Sequence, residues 1–297
     1  RGRRGGGGGR ERARRILANC FLMLCVLSVA LMALLAPIRE PMLMLFGASE
    51  ATFPFAGAYF SAYLCGTPFA LLSTGMCQFI ICQGFAGQAM LSVALGAVMN
   101  IVLDPVFIFA LDMGVAGAAI ATTFSQGVSA VLVTITLCRS TDMFKLHLRK
   151  IRFYAQPMAM ILKIGLPAGL QSAMYSISNV IIQSSLNTFG TNTVAAWTAF
   201  SKIDSLYWMI SGAFGIAITT FVGQNYGARK FGRMKKSINI SLAMDFGSSV
   251  AISVLLLIFG GFVFRLFTTD AQVIDIGMGI LRLMAPGYAA FAFVEIY

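Results

Sequence analysis

The chain has 297 residues, of which 58% are hydrophobic and only 11% charged. A soluble domain carries about 25% charged residues, so there are too few charges here to coat a water-facing surface, and the same figures exclude a disordered chain. The net charge of +11 is carried in clusters, which points to membrane topology and not to a nucleic-acid interface.

Arg1 to Arg15 is a Gly/Arg stretch with seven arginines and reads as an unstructured cytoplasmic tail. Apolar segments follow at about 16–36, 54–83, 88–111, 115–138, 160–190, 194–222, 237–264 and 274–297. Each is long enough to span a bilayer, and helices satisfy their own backbone polar groups in lipid. The runs are too long and too uniformly apolar for barrel strands. The expected fold is therefore an all-α polytopic membrane protein with about eight transmembrane helices. Six cysteines (Cys20, Cys25, Cys65, Cys77, Cys82, Cys138) lie in or beside these runs without CxxC spacing, as expected of reduced, buried thiols.

The connections alternate in charge. The tail, residues 139–154 and residues 223–236 hold 17 of the 22 basic residues. The turns near 37–53 and 265–273 hold only Arg39 and Arg265. The positive-inside rule places the three basic segments in the cytoplasm. The stretch Met143 to Tyr154 alternates basic and apolar residues, as an amphipathic segment on the inner leaflet does. An offset of 221 lays Arg12–Arg15 on Arg233–Lys236 and Leu45-Phe46 on Leu266-Phe267. Such an internal repeat points to a transporter of two related halves. The expected organisation is a tail 1–15, four helices in 16–138, a basic connection 139–159 and four helices in 160–297.

Asp104 is the clearest charge at membrane depth, in the segment Asn100-Ile101-Val102-Leu103-Asp104-Pro105. An Asp near a helix centre costs about 2.5–3.5 kcal/mol on insertion scales, so it calls for a functional explanation. Asn100 and Asp104 are four apart and share a helix face. Pro105 has no N–H for the carbonyl of Ile101. Together these groups offer the hard oxygens that a small cation or a proton requires. Asp112, Gly114 and Gly117 then form a tight outer turn, after which Thr122 and Thr123 return to the depth of Asp104. Either hydroxyl can complete the site, or bond its own i−4 carbonyl.

The second half opens with a Gly/Pro-interrupted helix start, Lys163 to Gly169, of the kind that suits a bending or rocking helix. Gln171 and Tyr175 follow on one face, with Ser172, Ser176, Ser178 and Gln183 nearby, facing either a cavity or another helix. Lys202 and Asp204 are two apart, point to nearly opposite sides and are not expected to pair. Both read as structural, with Asp204 a minor cavity candidate. Asp245 lies some eight residues past the basic loop, deep enough to matter. Enzyme signals are absent: the sole histidine is His147, and no Walker A motif is present.

Three stretches carry a resemblance. They are NIVLDPVFIFALDMGVAGAAIATT (Asn100 to Thr123), KIGLPAGLQSAMYSISNVIIQSSLNTFG (Lys163 to Gly190) and TTFVGQNYGARKFGRMKKS (Thr219 to Ser237). With them the chain resembles the multidrug and toxic compound extrusion (MATE) family. The resemblance implies a twelve-helix protein of two pseudo-symmetric six-helix bundles that exchanges Na⁺ or H⁺ for amphipathic or cationic drugs across the cytoplasmic membrane, without other cofactors. On that pattern the chain supplies helices three to ten and lacks the first two and last two. The family's cation site uses an Asn and an Asp four apart and a Thr eighteen later, which selects Asn100, Asp104 and Thr122 over Thr123. Gln171 and Tyr175 are then expected to line the substrate cavity of a monomer whose partners are a drug or toxic cation and the lipid bilayer, with no nucleic acid. There are departures. The family's first helix adds an acid that this sequence lacks. Some members carry a Glu where this chain has Tyr175, so a second-bundle cation site of that kind is not expected. A flippase for lipid-linked precursors would line its cavity with cationic residues, and Lys163, Lys202 and Arg282 are few and scattered for that. An intramembrane enzyme would keep its activity when the ion gradient is lost.

Overall fold

A computed structural model of the chain describes residues 5–45, 50, 52–140, 145–147 and 151–297. Of the sequence features above, Arg1, Arg3, Arg4, Phe46, Met143, Phe144, Leu148, Arg149 and Lys150 lie outside the described residues. The described chain is helical in nine α-helices: α1 (Gly5–Leu35), α2 (Arg39–Leu45), α3 (Phe53–Cys82), α4 (Ala86–Pro105), α5 (Gly114–Arg139), α6 (Ala155–Asn187), α7 (Thr191–Gly227), α8 (Phe231–Arg265) and α9 (Ala271–Ile296). A single π-helical turn, Val106–Ala110, continues α4. Seven of these helices are long and apolar enough to cross a membrane. The eighth long helix, α6, has 33 residues, but its serines, glutamines and asparagines leave it short of the apolarity of those seven.

Two expectations at the start of the chain are corrected. From Gly5 on, the Gly/Arg stretch is helical and not unstructured, because α1 begins at Gly5 and runs without interruption into the first apolar segment. Extending an existing helix adds one hydrogen bond per residue and avoids a new nucleus, and Glu11 pairs with Arg15 one turn along. The connection 37–53 contains a short helix, α2. Its Glu40 lies in the first turn, where the helix dipole favours an acid, and Pro41 is tolerated there because that N–H has no helical partner. Arg39 Nη1 ties α2 to α3 by donating to Ser61 Oγ at 2.9 Å.

The chain divides into two compact units, Arg1–Pro167 and Ala168–Tyr297, with the boundary inside α6. In the first unit α1, α3, α4 and α5 pack on one another, and their core joins Leu17, Met76, Ile80, Ala89, Val133 and Leu137 with Leu146 from the following segment. Lys145–His147 and Ile151–Tyr154 are not helical. Asn19, fully buried on α1, holds this connection through both backbone polar groups of Tyr154: its Nδ2 donates to Tyr154 O at 2.6 Å and its Oδ1 accepts from Tyr154 N at 3.0 Å. Arg15 lies over the Tyr154 ring, 5.1 Å from its centroid.

In the second unit α7, α8 and α9 form a three-helix packing around Phe200, Tyr207, Phe264, Leu281 and Tyr288. Gly260 and Gly277 allow the close approach of α8 and α9, since a Cβ on Gly260 would lie 2.7 Å from Leu281 Cδ2. Small residues at such crossings let membrane helices gain van der Waals contact where no hydrophobic force separates protein from lipid. Large apolar side chains cover the outside of both units, among them Ile101, Phe109, Phe259 and Leu283. That surface is suited to acyl chains and not to water. None of the six cysteines forms a disulfide among the described residues.

Candidate functional site

The α4–α5 hairpin positions the acidic site of the first unit. Asn100 and Asp104 lie one turn apart near the end of α4, and Pro105 closes that helix. A π turn follows, and Leu111 N closes it on Val106 O at 2.9 Å. Asp112 (φ 49°) and Gly114 (φ 53°) then reverse direction in the left-handed region. Gly117 sits directly against the π turn, where a Cβ would fall 2.6 Å from Phe107 O. This tight return brings Thr122 on α5 level with Asn100 on α4.

The three residues meet. Asn100 Nδ2 donates to Asp104 Oδ1 at 3.0 Å and to Thr122 Oγ1 at 3.3 Å. Thr122 also donates to its own i−4 carbonyl, Ala118 O, at 2.9 Å, so both behaviours open to that hydroxyl on spacing alone are realised together. Thr123 is turned the other way and bonds Ala62 O on α3 at 3.1 Å. Asn100, Asp104 and Thr122 are each half-buried. The only ion pair among the described residues is Glu11–Arg15, so no cationic side chain neutralises Asp104 there.

A polar cavity of about 250 Å³ adjoins this cluster, between α3, α4 and α5. Asn100 and Thr122 form one wall, and Ser73, Thr74, Ser125, Gln126 and Ser129 continue it. Ser125 Oγ is buried and has no hydrogen-bond partner among the described residues, a free polar atom inside an apolar helix bundle. A larger opening of about 560 Å³ lies at the other end of the same helices, beside Gln83, Gln88 and Arg139. Sequence reading singled out none of the cavity serines. The signal was present in the Thr122, Ser125/Gln126, Ser129 spacing, which places them on one face of α5.

In the second unit Gln171 and Tyr175 are exposed, as is every residue of 162–185. The hydroxyls of Ser176 and Ser178 bond their own helix backbone at Ser172 O and Met174 O, so these two serines of the α6 stripe are satisfied locally. Asp204 is half-buried and accepts from Tyr288 Oη at 2.6 Å and from Trp208 Nε1 at 2.8 Å, while Lys202 is exposed. Tyr288 stacks on Tyr207 with ring centroids 3.9 Å apart, and Tyr207 Oη donates to Tyr288 O at 2.9 Å. This aromatic clamp around Asp204 was not foreseen, because Tyr288 is distant in sequence.

The sequence matches the MatE family over residues 2–106 and 167–297. A relative in Bacillus subtilis, named probable multidrug resistance protein YoeA, is 23% identical over 96% of this chain and 63% of its own length. A relative in Shewanella oneidensis, named FAD transporter, is 26% identical over 100% of this chain and 66% of its own. Among solved structures, one described as the outward-facing conformation of a multidrug resistance MATE family transporter of the MOP superfamily superposes with a TM-score of 0.88 at 25% identity, covering 97% of this chain and 65% of that one. The chain thus spans somewhat less than two thirds of the length of each of these proteins.

Proposed function

This chain belongs to the MatE family, and from that premise we propose that it is part of a secondary transporter, not an enzyme, that exports amphipathic or cationic drugs in exchange for Na⁺ or H⁺. The observation that carries the reading is Asn100 bridging Asp104 and Thr122 with no cationic side chain among the described residues to neutralise the carboxylate. The Asn100 amide nitrogen, with its partial positive charge, holds the two oxygens together. A coupling cation replaces it by drawing in Asp104 Oδ, Thr122 Oγ1 and the amide oxygen of a rotated Asn100, and a proton replaces it by neutralising Asp104. Either event breaks the Asn100–Asp104 bond and frees α4 to shift against α5. Ion and drug then favour different arrangements of the helices, and alternating access follows from that difference in affinity. The adjoining serine-lined cavity supplies water and polar contacts on the way to the site.

In the same reading, Gln171 and Tyr175 on α6 face the drug path. The basic connections lie in the cytoplasm, the protein sits in the plasma membrane, and it acts as a monomer. The experiment is gradient-driven efflux of a cationic dye from vesicles holding the protein. Asp104→Asn is expected to abolish efflux while leaving thermal unfolding in detergent close to wild type. Efflux at the wild-type rate in that variant overturns the assignment. Imposing a Na⁺ gradient or a pH gradient separately distinguishes the two ions.

A further inference from the structure

Asp245 is the most deeply placed acid in the second unit, and the transport reading makes no use of it. It lies nine residues beyond Lys236 on α8, which is about 13 Å along the helix at 1.5 Å per residue and near the middle of a hydrocarbon core about 30 Å thick. It is 0% exposed. Oδ2 accepts from Ser211 Oγ on α7 at 3.1 Å, and Oδ1 is buried with no partner among the described residues.

The surroundings offer nothing that compensates a negative charge. One turn along α8, the buried Ser249 hydroxyl lies 3.5 Å from Tyr207 Oη on α7. Beyond it are Tyr288 on α9 and Asp204 on α7, joined by their own hydrogen bond. On the other side, the Glu295 carboxylate of α9 packs against Gly215, one turn from Ser211. The titratable groups these contacts bring near are therefore tyrosines and acids, while the cations of the two packed helices, Lys202 on α7 and Arg282 on α9, are exposed and form no ion pair among the described residues. No ion pair involves Asp245 among the described residues. A bare carboxylate at this depth costs several kcal/mol, and its persistence calls for a bound positive charge.

We propose that Asp245 binds and releases a proton, giving the second unit an ion-binding centre of its own. A metal cation needs several oxygens around it, whereas only the Ser211 hydroxyl reaches this carboxylate, and on the oxygen opposite the free one. A proton needs only the lone pair on Oδ1. Uptake converts Asp–COO⁻ and H⁺ into Asp–COOH with no other bond changed. Release leaves the carboxylate held by Ser211. The assignment rests on the transport reading only in making this proton a coupling ion.

Infrared difference spectra of the purified protein in lipid nanodiscs, recorded across a pH titration, test it. Wild type is expected to show a protonated-carboxyl band that appears and disappears with pH. Asp245→Asn should lose that band and Asp104→Asn should keep it. Ser211→Ala should keep it with a displaced midpoint, which preserves the test if Asp245→Asn does not fold. A spectrum with no titrating band that depends on Asp245 overturns the proposal. Unimpaired dye efflux in Asp104→Asn would remove the coupling role of the first unit and leave the Asp245 band as evidence of its own.

Discussion

The Asn100 amide on α4 donates to the Thr122 hydroxyl on α5 at 3.3 Å, and this contact links the two arms of the hairpin at the level of Asp104. Thr122 and Thr123 are adjacent in sequence yet serve different helices, since Thr123 bonds Ala62 O on α3. Thr122→Ala is therefore expected to raise the ion concentration needed for half-maximal dye efflux several-fold with little loss of stability. Thr123→Val should leave that ion dependence unchanged and lower stability by about 1 kcal/mol, the net worth of one hydrogen bond. Ion titrations of efflux and thermal unfolding of the two variants separate the roles. Identical behaviour of the pair would contradict the arrangement.

Gly117 sits where a Cβ would fall 2.6 Å from the Phe107 carbonyl oxygen, while a Cβ at Gly87 would meet nothing. The obstacle at Gly117 is backbone and cannot rotate away. Gly117→Ala is expected to destabilise by about 1–3 kcal/mol, as overpacking does. Gly87→Ala should stabilise by about 0.4–1 kcal/mol by restricting the unfolded chain. Thermal unfolding in detergent reads both.

Tyr288 Oη is one of two donors to Asp204. Tyr288→Phe keeps the stacked ring but leaves a half-buried carboxylate with only Trp208 as donor. A loss of about 1.5–3 kcal/mol is expected, the usual range for a bond to a charged group. Tyr207→Phe removes a neutral bond to a carbonyl and should cost about 1 kcal/mol. Reversal of that order in unfolding measurements would place the strong donor elsewhere.

Asn19 makes two bonds to the Tyr154 backbone, one to its N–H and one to its carbonyl. Asn19→Ala should free the connection that precedes α6, and tryptic cleavage after Arg152 should become faster than in wild type. An unchanged cleavage rate would show that Arg15 over the Tyr154 ring suffices to hold it.

Orientation is open to labelling. In a chain whose own cysteines are replaced, Lys230→Cys, in the α7–α8 turn, is expected to react with impermeant maleimide only from the cytoplasm. Asp112→Cys and Asp270→Cys, at the opposite helix ends, should react only from outside. The reverse pattern would invert the positive-inside assignment.

Much of the helix layout is legible in composition alone. The apolar run at 54–83 becomes α3 at Phe53–Cys82, and that at 115–138 becomes α5 at Gly114–Arg139, because a backbone in lipid must bond to itself along its whole apolar length. Helix ends outside lipid escape this rule. The Gly5 start of α1 and the existence of α2 were for that reason not anticipated.

Within one helix, spacing also determines which side chains share a face, so Asn100 and Asp104 were placed together by their four-residue separation. The pairing of Thr122 with Asn100, of Tyr288 with Asp204 and of Ser211 with Asp245 depends instead on how each helix is rotated and slid against its neighbour. Those offsets are decided where backbones touch: Gly66 beneath Thr123, Gly117 beneath Phe107, Gly260 beneath Leu281. The sequence by itself determined the spans, their polar faces and the acids that need an explanation at membrane depth. Only the tertiary structure decided which acid gains which partner and left Asp245 Oδ1 with none, because contacts across helices are set by packing geometry and carry no fixed period along the chain.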